Sequence, residues 1–404
     1  MRKTQEKKRP KNFSKRNNFR RRKSAHGNGK PKGQHKKEAI DLSQFVSEGR
    51  VVEKKQYEPQ HSFEDFMLDD ELMRRIQKKG YQAPSEIQDK VINPILDGKN
   101  IVGVAGTGTG KTAAFLIPIL QILLEEPVDR YALIIAPTRE LANQINDEFR
   151  SMTKGLGLFS TCLIGGSSVS ESIKSLKRKN HLVLGTPGRL MDMHRQGHLP
   201  FDLFRVFVLD EFDRMLDMGF KEEMRAINEK MTDKNQTLLF SATIEKNQKE
   251  IVEEIAGRAT QIKAQSNTQD TSAIKQDIIQ VNGGDKFQLM RELLTDKNED
   301  RTILFCETKR KAEKMMDKLK KDGIRADAIH GDKSQRAREI ALRKFKRGQV
   351  NVLVATDVVA RGIDVNDVSL VINYEQPRTY TDYIHRIGRT GRAGKTGRAI
   401  TMID

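Results

Sequence analysis

The sequence predicts an α/β protein: two tandem domains, each a parallel sheet flanked by helices, behind a basic N-terminal tail. Three observations predict it. Short Val/Ile/Leu-rich runs alternate with amphipathic helical stretches, the pattern that builds parallel sheets from strand–helix–strand units. That series stops in a polar stretch and then begins again. The positive charge is concentrated ahead of both series. Residues 1–40 hold 16 Lys/Arg against two Asp/Glu, which leaves only +4 of the net +18 for the other 364 residues.

The tail comes first. Residues 1 to about 40 are Lys, Arg, Asn, Gly and Ser with almost no aliphatics. Such a segment cannot bury enough apolar surface to offset its ordering entropy. The disordered tail is assigned to residues 1–60. Arg20-Arg21-Arg22-Lys23, beside Phe13 and Phe19, can grip phosphates and stack on bases, so nonspecific RNA contact is expected of it. The run shows no amphipathic apolar face for a membrane surface.

The first domain is assigned to 61–263. Its strands are read at Asn100–Val104, Ala132–Ala136, Ser160–Ile164, Leu182–Gly185, Val206–Leu209 and Thr237–Phe240, with amphipathic helices such as Glu140–Met152 and Lys221–Met231 between them. A polar stretch without apolar periodicity marks a linker at 264–274. The second domain, 275–404, repeats the alternation at Ile278–Val281, Thr302–Cys306, Arg325–Ile329, Val352–Ala355, Leu370–Asn373 and Ala399–Ile403.

Several classes drop out. Cys162 and Cys306 stand far apart and in no C-x-x-C pair, which suggests neither a disulfide framework nor a zinc site. A reducing, cytoplasmic setting is expected. The N-terminus has no apolar signal region. The longest apolar run, Phe115–Leu124, is interrupted by Pro118 and Gln121 and is too short to cross a bilayer, so no membrane association is expected.

One loop carries chemistry by itself. Ala105-Gly106-Thr107-Gly108-Thr109-Gly110-Lys111-Thr112 follows a buried strand and opens a helix, the context a phosphate-binding loop requires. Glycines let backbone N–H groups wrap phosphates, and the helix N-terminus adds partial positive charge. Lys111 reaches the β- and γ-phosphates in this reading, and Thr112 ligates magnesium. Ala105 stands where the strict pattern has Gly. Farther on, the strand Val206–Leu209 ends directly in Asp210-Glu211-Phe212-Asp213. Ligands of parallel sheets gather off the carboxyl ends of strands. Asp210 is therefore assigned to the metal and Glu211 to orienting and deprotonating the attacking water. The strand Thr237–Phe240 ends in Ser241-Ala242-Thr243, whose hydroxyls are expected to bond the Asp213 carboxylate and couple the metal site to the fold.

Taken together, residues 61–404 resemble the DEAD-box RNA helicases of bacterial type, with Asp-Glu-Phe-Asp where the family reads Asp-Glu-Ala-Asp. Phe63, Gly80-Tyr81, Pro84 and Gln88 resemble its Q motif, which implies adenine recognition by Tyr81 stacking and Gln88 hydrogen bonding. Here Pro84-Ser85-Glu86-Ile87-Gln88 stands for the usual Pro-Thr-Pro-Ile-Gln. Pro137-Thr138-Arg139-Glu140-Leu141, Gly165-Gly166 and Thr186-Pro187-Gly188-Arg189 resemble RNA-backbone motifs, with Thr138, Arg139, Thr186 and Arg189 nearest phosphates. In the second domain the resemblance extends to Phe305-Cys306-Glu307-Thr308, to His330-Gly331-Asp332 with Gln335 and Arg338, and to Ala355-Thr356-Asp357 through Arg361-Gly362-Ile363-Asp364. It ends in Tyr383–Arg392. It implies nucleotide contact by Gly362 and Asp364, RNA contact by Thr356, arginine fingers at Arg389 and Arg392, and coupling through Asp213, Ser241, Thr243 and His385.

The resemblance implies two tandem RecA-like domains that close around ATP, Mg2+ and RNA, with hydrolysis of ATP to ADP and phosphate coupled to local unwinding or remodelling of RNA. A second reading, an ATP-dependent clamp or annealing factor that separates no strands, is motivated by Phe212 and the basic tail. RNA is expected to be read by its sugar-phosphate backbone. The compact core with a short tail looks bacterial. Asp404 falls within the last predicted strand, where family members continue into a further helix, so a truncated end is expected.

Overall fold

The computed structural model describes residues 46–47, 57–106, 108–264, 274–295, 301–357, 365, 368–391 and 396–404. The basic tail and most of the expected linker lie outside these residues. So do Thr107, Arg361, Gly362, Asp364 and Arg392.

Two parallel sheets organise the chain. The first contains β1 (Ile101–Val104), β2 (Ala132–Ile135), β3 (Ser160–Leu163), β4 (Leu182–Gly185), β5 (Val206–Leu209), β6 (Gln236–Ser241) and β7 (Thr260–Lys263). The second contains β8 (Ile274–Gln280), β9 (Thr302–Phe305), β10 (Ala326–Ile329), β11 (Val352–Ala355), β12 (Leu370–Asn373) and β13 (Gly397–Ile403). The strand orders are β3-β4-β2-β5-β6-β1-β7 and β10-β11-β9-β12-β13-β8. Numbered from the start of each lobe, both run third, fourth, second, fifth, sixth, first; lobe 1 adds β7 beyond its first strand. This is one topology used twice. Register then gives equivalences. Val206 pairs Ala132 as Leu370 pairs Thr302, so the end of β5 corresponds to the end of β12.

Each sheet is buried on both faces. Two apolar clusters sandwich the first sheet, one including Ile134, Val208 and Phe240 and the other Ile135, Leu209 and Leu239. Two more sandwich the second, one around Ile303, Leu353 and Val371 and the other around Leu304, Val354 and Ile372. Central strands buried on both sides read as continuous aliphatic runs, which is why they are visible in the sequence.

The expected strands are present, with two departures at sheet edges. Strand β7 was not expected: Thr260-Gln261-Ile262-Lys263 is mostly exposed and pairs only with β1, so it carries no apolar run. Strand β8 begins at Ile274, four residues before its expected start, because Lys275 and Asp277 interrupt its apolar pattern. The tail boundary at residue 60 also needs correction. Residues 57–60 are packed on lobe 1, where the Tyr57 hydroxyl donates to Asp89 at 2.6 Å. Ser47 forms an antiparallel bridge with Gln276 on the β8 edge.

Candidate active site

Strand β1 delivers the chain into the loop Ala105–Thr112, and the helix Lys111–Glu125 begins at its end. Gly110 caps that helix with φ of +90°, and no side chain caps its first N–H groups. The glycine is required twice over. Its backbone lies in the left-handed region, and a Cβ there would sit 2.4 Å from Gln88 Nε2. An uncapped helix N-terminus in a glycine-rich turn presents unsatisfied donors to an anion. Lys111 is buried, and its ammonium donates to the Ala105 and Gly106 carbonyls at 2.6 and 3.0 Å. Thr109 Oγ1 donates to the Gly106 carbonyl, which tightens the same turn.

The Q-motif residues brace this loop. Gln88 Oε1 accepts from the Ser85 N–H at 2.9 Å, and Gln88 Nε2 donates to the Gly110 carbonyl at 3.1 Å. Ser85 Oγ donates to the Thr109 carbonyl at 2.7 Å. Gln88 is thus a helix cap and a loop brace at once. Phe63 is buried with its ring centroid 6.2 Å from that of Tyr81. Burial, then the Glu148 carboxylate, push the Tyr81 phenol up to about 12.

The acidic cluster sits off β5, two strands from β1 in the sheet. Asp210 is 2% exposed, and burial pushes its carboxyl up to about 7, partly offset by the charge of Lys111 and reinforced by Glu211 and Asp213. A buried carboxylate with one lysine nearby favours a further cation. Glu211 adopts φ of +52°, a left-handed conformation that costs a non-glycine residue roughly 1 kcal/mol or more. The Arg214 guanidinium, itself buried, holds the Glu211 carboxylate at 2.9 Å. Thr112 stands one residue into the loop's helix; its hydroxyl and the Asp210 carboxylate are the hard oxygen donors that suit magnesium.

Phe212 does not enter this site. It is fully buried in the cluster with Met215, Met224 and Leu239. Asp213 turns the other way and accepts from the Ala242 and Thr243 N–H groups and from Thr243 Oγ1 at 3.0–3.2 Å. Of the two hydroxyls expected to bond its carboxylate, only that of Thr243 does. Ser241 Oγ accepts from the Asp213 N–H and donates to the Thr243 carbonyl, because its short side chain faces the backbone of the turn.

Three loops open off β2, β3 and β4. Thr138 caps the helix Arg139–Thr153 by accepting from the Leu141 N–H, with Pro137 buried before it. Thr186 is the N-cap of the helix Pro187–Arg195, in which Gly188 follows Pro187. The Arg139 guanidinium lies so close over Gly165-Gly166 that a Cβ on Gly166 would sit 2.6 Å from its Nη1. Arg189 is buried and donates to the carbonyls of Ile164 and Ser167. In this structure the guanidinium shapes the loop from within, and the Ile164 carbonyl also accepts from Ser167 Oγ at 2.7 Å.

In lobe 2 the motif helix Tyr380–Ile387 carries Arg386, and Arg389 follows just past its C-cap Gly388. Arg386 is buried, grips Asp357 through two bonds at 2.5 and 2.8 Å, and reaches the Asn373 side chain and the Glu375 carbonyl. Arg389 is buried and donates to the His385 carbonyl at 3.2 Å. Thr356 is buried just beyond β11. His330 bonds Glu313 at 2.6 Å. Among the described residues, Arg338 Nη2 of lobe 2 lies 2.5 Å from Glu140 Oε1 of lobe 1, and Asn143 donates to Glu339 at 3.1 Å.

Comparison with known proteins agrees with this arrangement. The family model described as DEAD/DEAH box helicase matches residues 85–251, and the helicase conserved C-terminal domain matches 285–394. A probable ATP-dependent RNA helicase of Methanocaldococcus jannaschii is 42% identical over 344 residues, 85% of this chain and 92% of that protein. The chain belongs to the DEAD-box RNA helicase family. The DEAD-box ATP-dependent RNA helicase CshA of Streptococcus pneumoniae is 41% identical over 84% of this chain, and the match spans 65% of that relative's length. Among solved structures, Saccharomyces cerevisiae Dbp5 bound to RNA and ADP BeF3 is 33% identical with a TM-score of 0.76, covering 85% of this chain and 89% of that one. Mss116p bound to ssRNA and AMP-PNP is 30% identical with the same TM-score, covering 86% and 76%. The two sheets are therefore RecA-like lobes of a DEAD-box protein.

The sequence reading of this DEAD-box chain missed Arg214, Tyr57 and Asp89. Arg214 stands three residues after Glu211 on the same short helix, a spacing that signals an ion pair. Asp89 gave no signal, since its partners lie about 30 residues upstream.

Proposed function

We propose that this protein is an ATP-dependent RNA helicase, in which RNA-stimulated hydrolysis of ATP to ADP and phosphate is coupled to local remodelling of RNA. One observation supports it above the others: an uncapped helix N-terminus opens at a buried lysine, Lys111, whose charge acts on a buried carboxylate, Asp210. The N-terminus and Lys111 suit the triphosphate, and Thr112 with Asp210 suits Mg2+.

Thr112 and Asp210 would hold magnesium, which would supply neutralisation of phosphate charge. The chain's own residues do the rest. Lys111 exchanges its carbonyl partners for phosphate oxygens. Glu211, held by Arg214, accepts the proton of the attacking water. Tyr81, backed by Phe63, carries the base, with Gln88 bracing the loop beneath it. Ala105, Gly106, Gly108, Thr109 and Gly110 wrap the phosphates. Thr138, Thr186 and the Gly165-Gly166 loop offer hydroxyl and N–H donors to an RNA backbone, contacts that position without reading sequence. Arg389 completes the site from lobe 2, and Asp213, Ser241, Thr243 and His385 couple it to closure. Gly362, Asp364 and Arg392, outside the described residues, are assigned the same roles as before. Domain limits are proposed at 57–264 and 274–404.

The Asp-Glu-Phe-Asp variant is compatible with hydrolysis, because Phe212 packs into the core while the Asp210 carboxylate remains under the charge of Lys111. The test is phosphate release by the intact chain with and without single-stranded RNA, together with displacement of a short duplex. RNA-stimulated release and strand separation are expected. Turnover without separation would favour the clamp, and no turnover would overturn the reading.

A further inference from the structure

The helix Glu86–Leu96 carries a carboxylate that the motif reading leaves without a task. Asp89 is 4% exposed and follows Gln88 directly. Both its oxygens are filled by one upstream segment. Oδ2 accepts from the Tyr57 hydroxyl at 2.6 Å and from the Gln60 N–H at 2.7 Å. Oδ1 accepts from the His61 N–H at 3.2 Å and lies 2.7 Å from His61 Nδ1. Burial acts to raise its carboxyl pKa, but bonds from Tyr57, Gln60 and His61 outweigh it and hold it below the usual range. Burial and the same contact push the Tyr57 phenol up to about 12.

The segment held in this way leads straight into the base-binding wall. Two residues after His61 comes Phe63, buried between Phe66, at 6.1 Å, and Tyr81, at 6.2 Å between centroids. His61 itself packs on Phe66 at 5.7 Å. On the other side of Asp89, Gln88 reaches the Gly110 carbonyl of the phosphate loop. One helical turn thus grips the phosphate loop through one residue and the base wall through the next. A neutral side chain at 89 could not accept this set of charge-assisted bonds.

We propose that Asp89 is a positioning residue for the nucleotide: it clasps residues 57–61 and so fixes Phe63 behind Tyr81, setting affinity and selectivity for the adenine base. The segment just after the basic tail thereby becomes part of the nucleotide site. This rests on the ATP reading above. Loss of the clasp frees Phe63 to shift, which loosens the base and leaves Lys111, Asp210 and Glu211 in place.

The test compares Asp89→Asn and Tyr57→Phe in the full chain, with saturating RNA, for KM and kcat on ATP and on GTP. Losing charge-assisted bonds of ordinary strength predicts that Asp89→Asn raises KM for ATP about tenfold and Tyr57→Phe by a smaller factor. In both, kcat at saturating ATP is retained and the preference for ATP over GTP falls. Tyr57→Phe removes one hydroxyl from a partly exposed residue, so it reports even where Asp89→Asn folds poorly. Unchanged KM in Tyr57→Phe and in folded Asp89→Asn overturns the proposal. So does a fall in kcat that tracks the melting temperature, with selectivity intact. If the unaltered chain turns over no ATP, the helicase reading fails instead.

Discussion

The two lobes repeat one topology, and their equivalent turns have been put to opposite uses. Register aligns Ala105, after β1, with Val281, after β8. In lobe 1 the turn leads to Gly110 and an uncapped helix whose N–H groups stay open. In lobe 2 it leads to Asp285, whose carboxylate caps its own helix by accepting from the Phe287 and Gln288 N–H groups. A phosphate would meet a carboxylate there. The same contrast appears off the fifth strand. Asp210 of lobe 1 aligns with Tyr374 of lobe 2, and Glu211 with Glu375. Lobe 1 keeps a carboxylate whose burial raises its pKa to about 7 despite the charge of Lys111, whereas lobe 2 closes its charges internally through Arg386, Asp357 and Asn373. Lobe 1 is built with unsatisfied groups a ligand can complete. Lobe 2 satisfies its turn in advance with its own carboxylate.

Charge removal should therefore damage chemistry in lobe 1 and stability in lobe 2. Glu211→Gln should lower RNA-stimulated phosphate release per folded molecule by about 10²–10⁴-fold, the usual weight of a general base. Near-normal turnover would break the assignment. Arg386→Ala should instead cost about 3–5 kcal/mol in denaturant unfolding, because it strands Asp357 beside a half-emptied pocket. A kcat loss without destabilisation would place Arg386 with Arg389 rather than in the scaffold.

The core separates from the site in the same way. Phe212→Ala restores the common family residue, yet it should cost about 3–5 kcal/mol as a large-to-small core change. Turnover per folded molecule should be kept at low temperature; improved activity with equal stability would show that the phenyl group reaches the site. A smaller effect is expected at the lobe 2 turn. Asp285→Ala should cost about 1 kcal/mol as a lost cap and leave KM for ATP unchanged.

The smallest effect is a pH dependence. The Asp89 carboxyl is held below its unfolded value, so its stabilisation is present above that value and is lost as pH falls through the folded one. The stability gap between the unaltered chain and Asp89→Asn should be full at neutral pH and close below about pH 4. A gap independent of pH would mean that the carboxylate charge does not hold the clasp.

The architecture and the chemistry-bearing loops were legible because both lie in local sequence. Strands buried on two faces must be aliphatic throughout, and a phosphate loop must be glycine-rich between a strand and a helix. Where burial was one-sided, as in β7, the pattern faded. The family followed from the motifs in their order, down to Asp210 and Glu211. What the sequence could not decide was which polar groups satisfy one another. Arg189 read as a phosphate-seeking arginine and Arg386 carried no assignment, yet both are directed inward onto carbonyls and carboxylates of their own lobe. Phe212 read as a departure that needs room, and an apolar cluster of the core holds it. Asp89 read as nothing, because its partners are 28 to 32 residues away. Residue type and spacing determine which groups are present. Only the packed chain decides which of them are already paired and which are left open for a ligand.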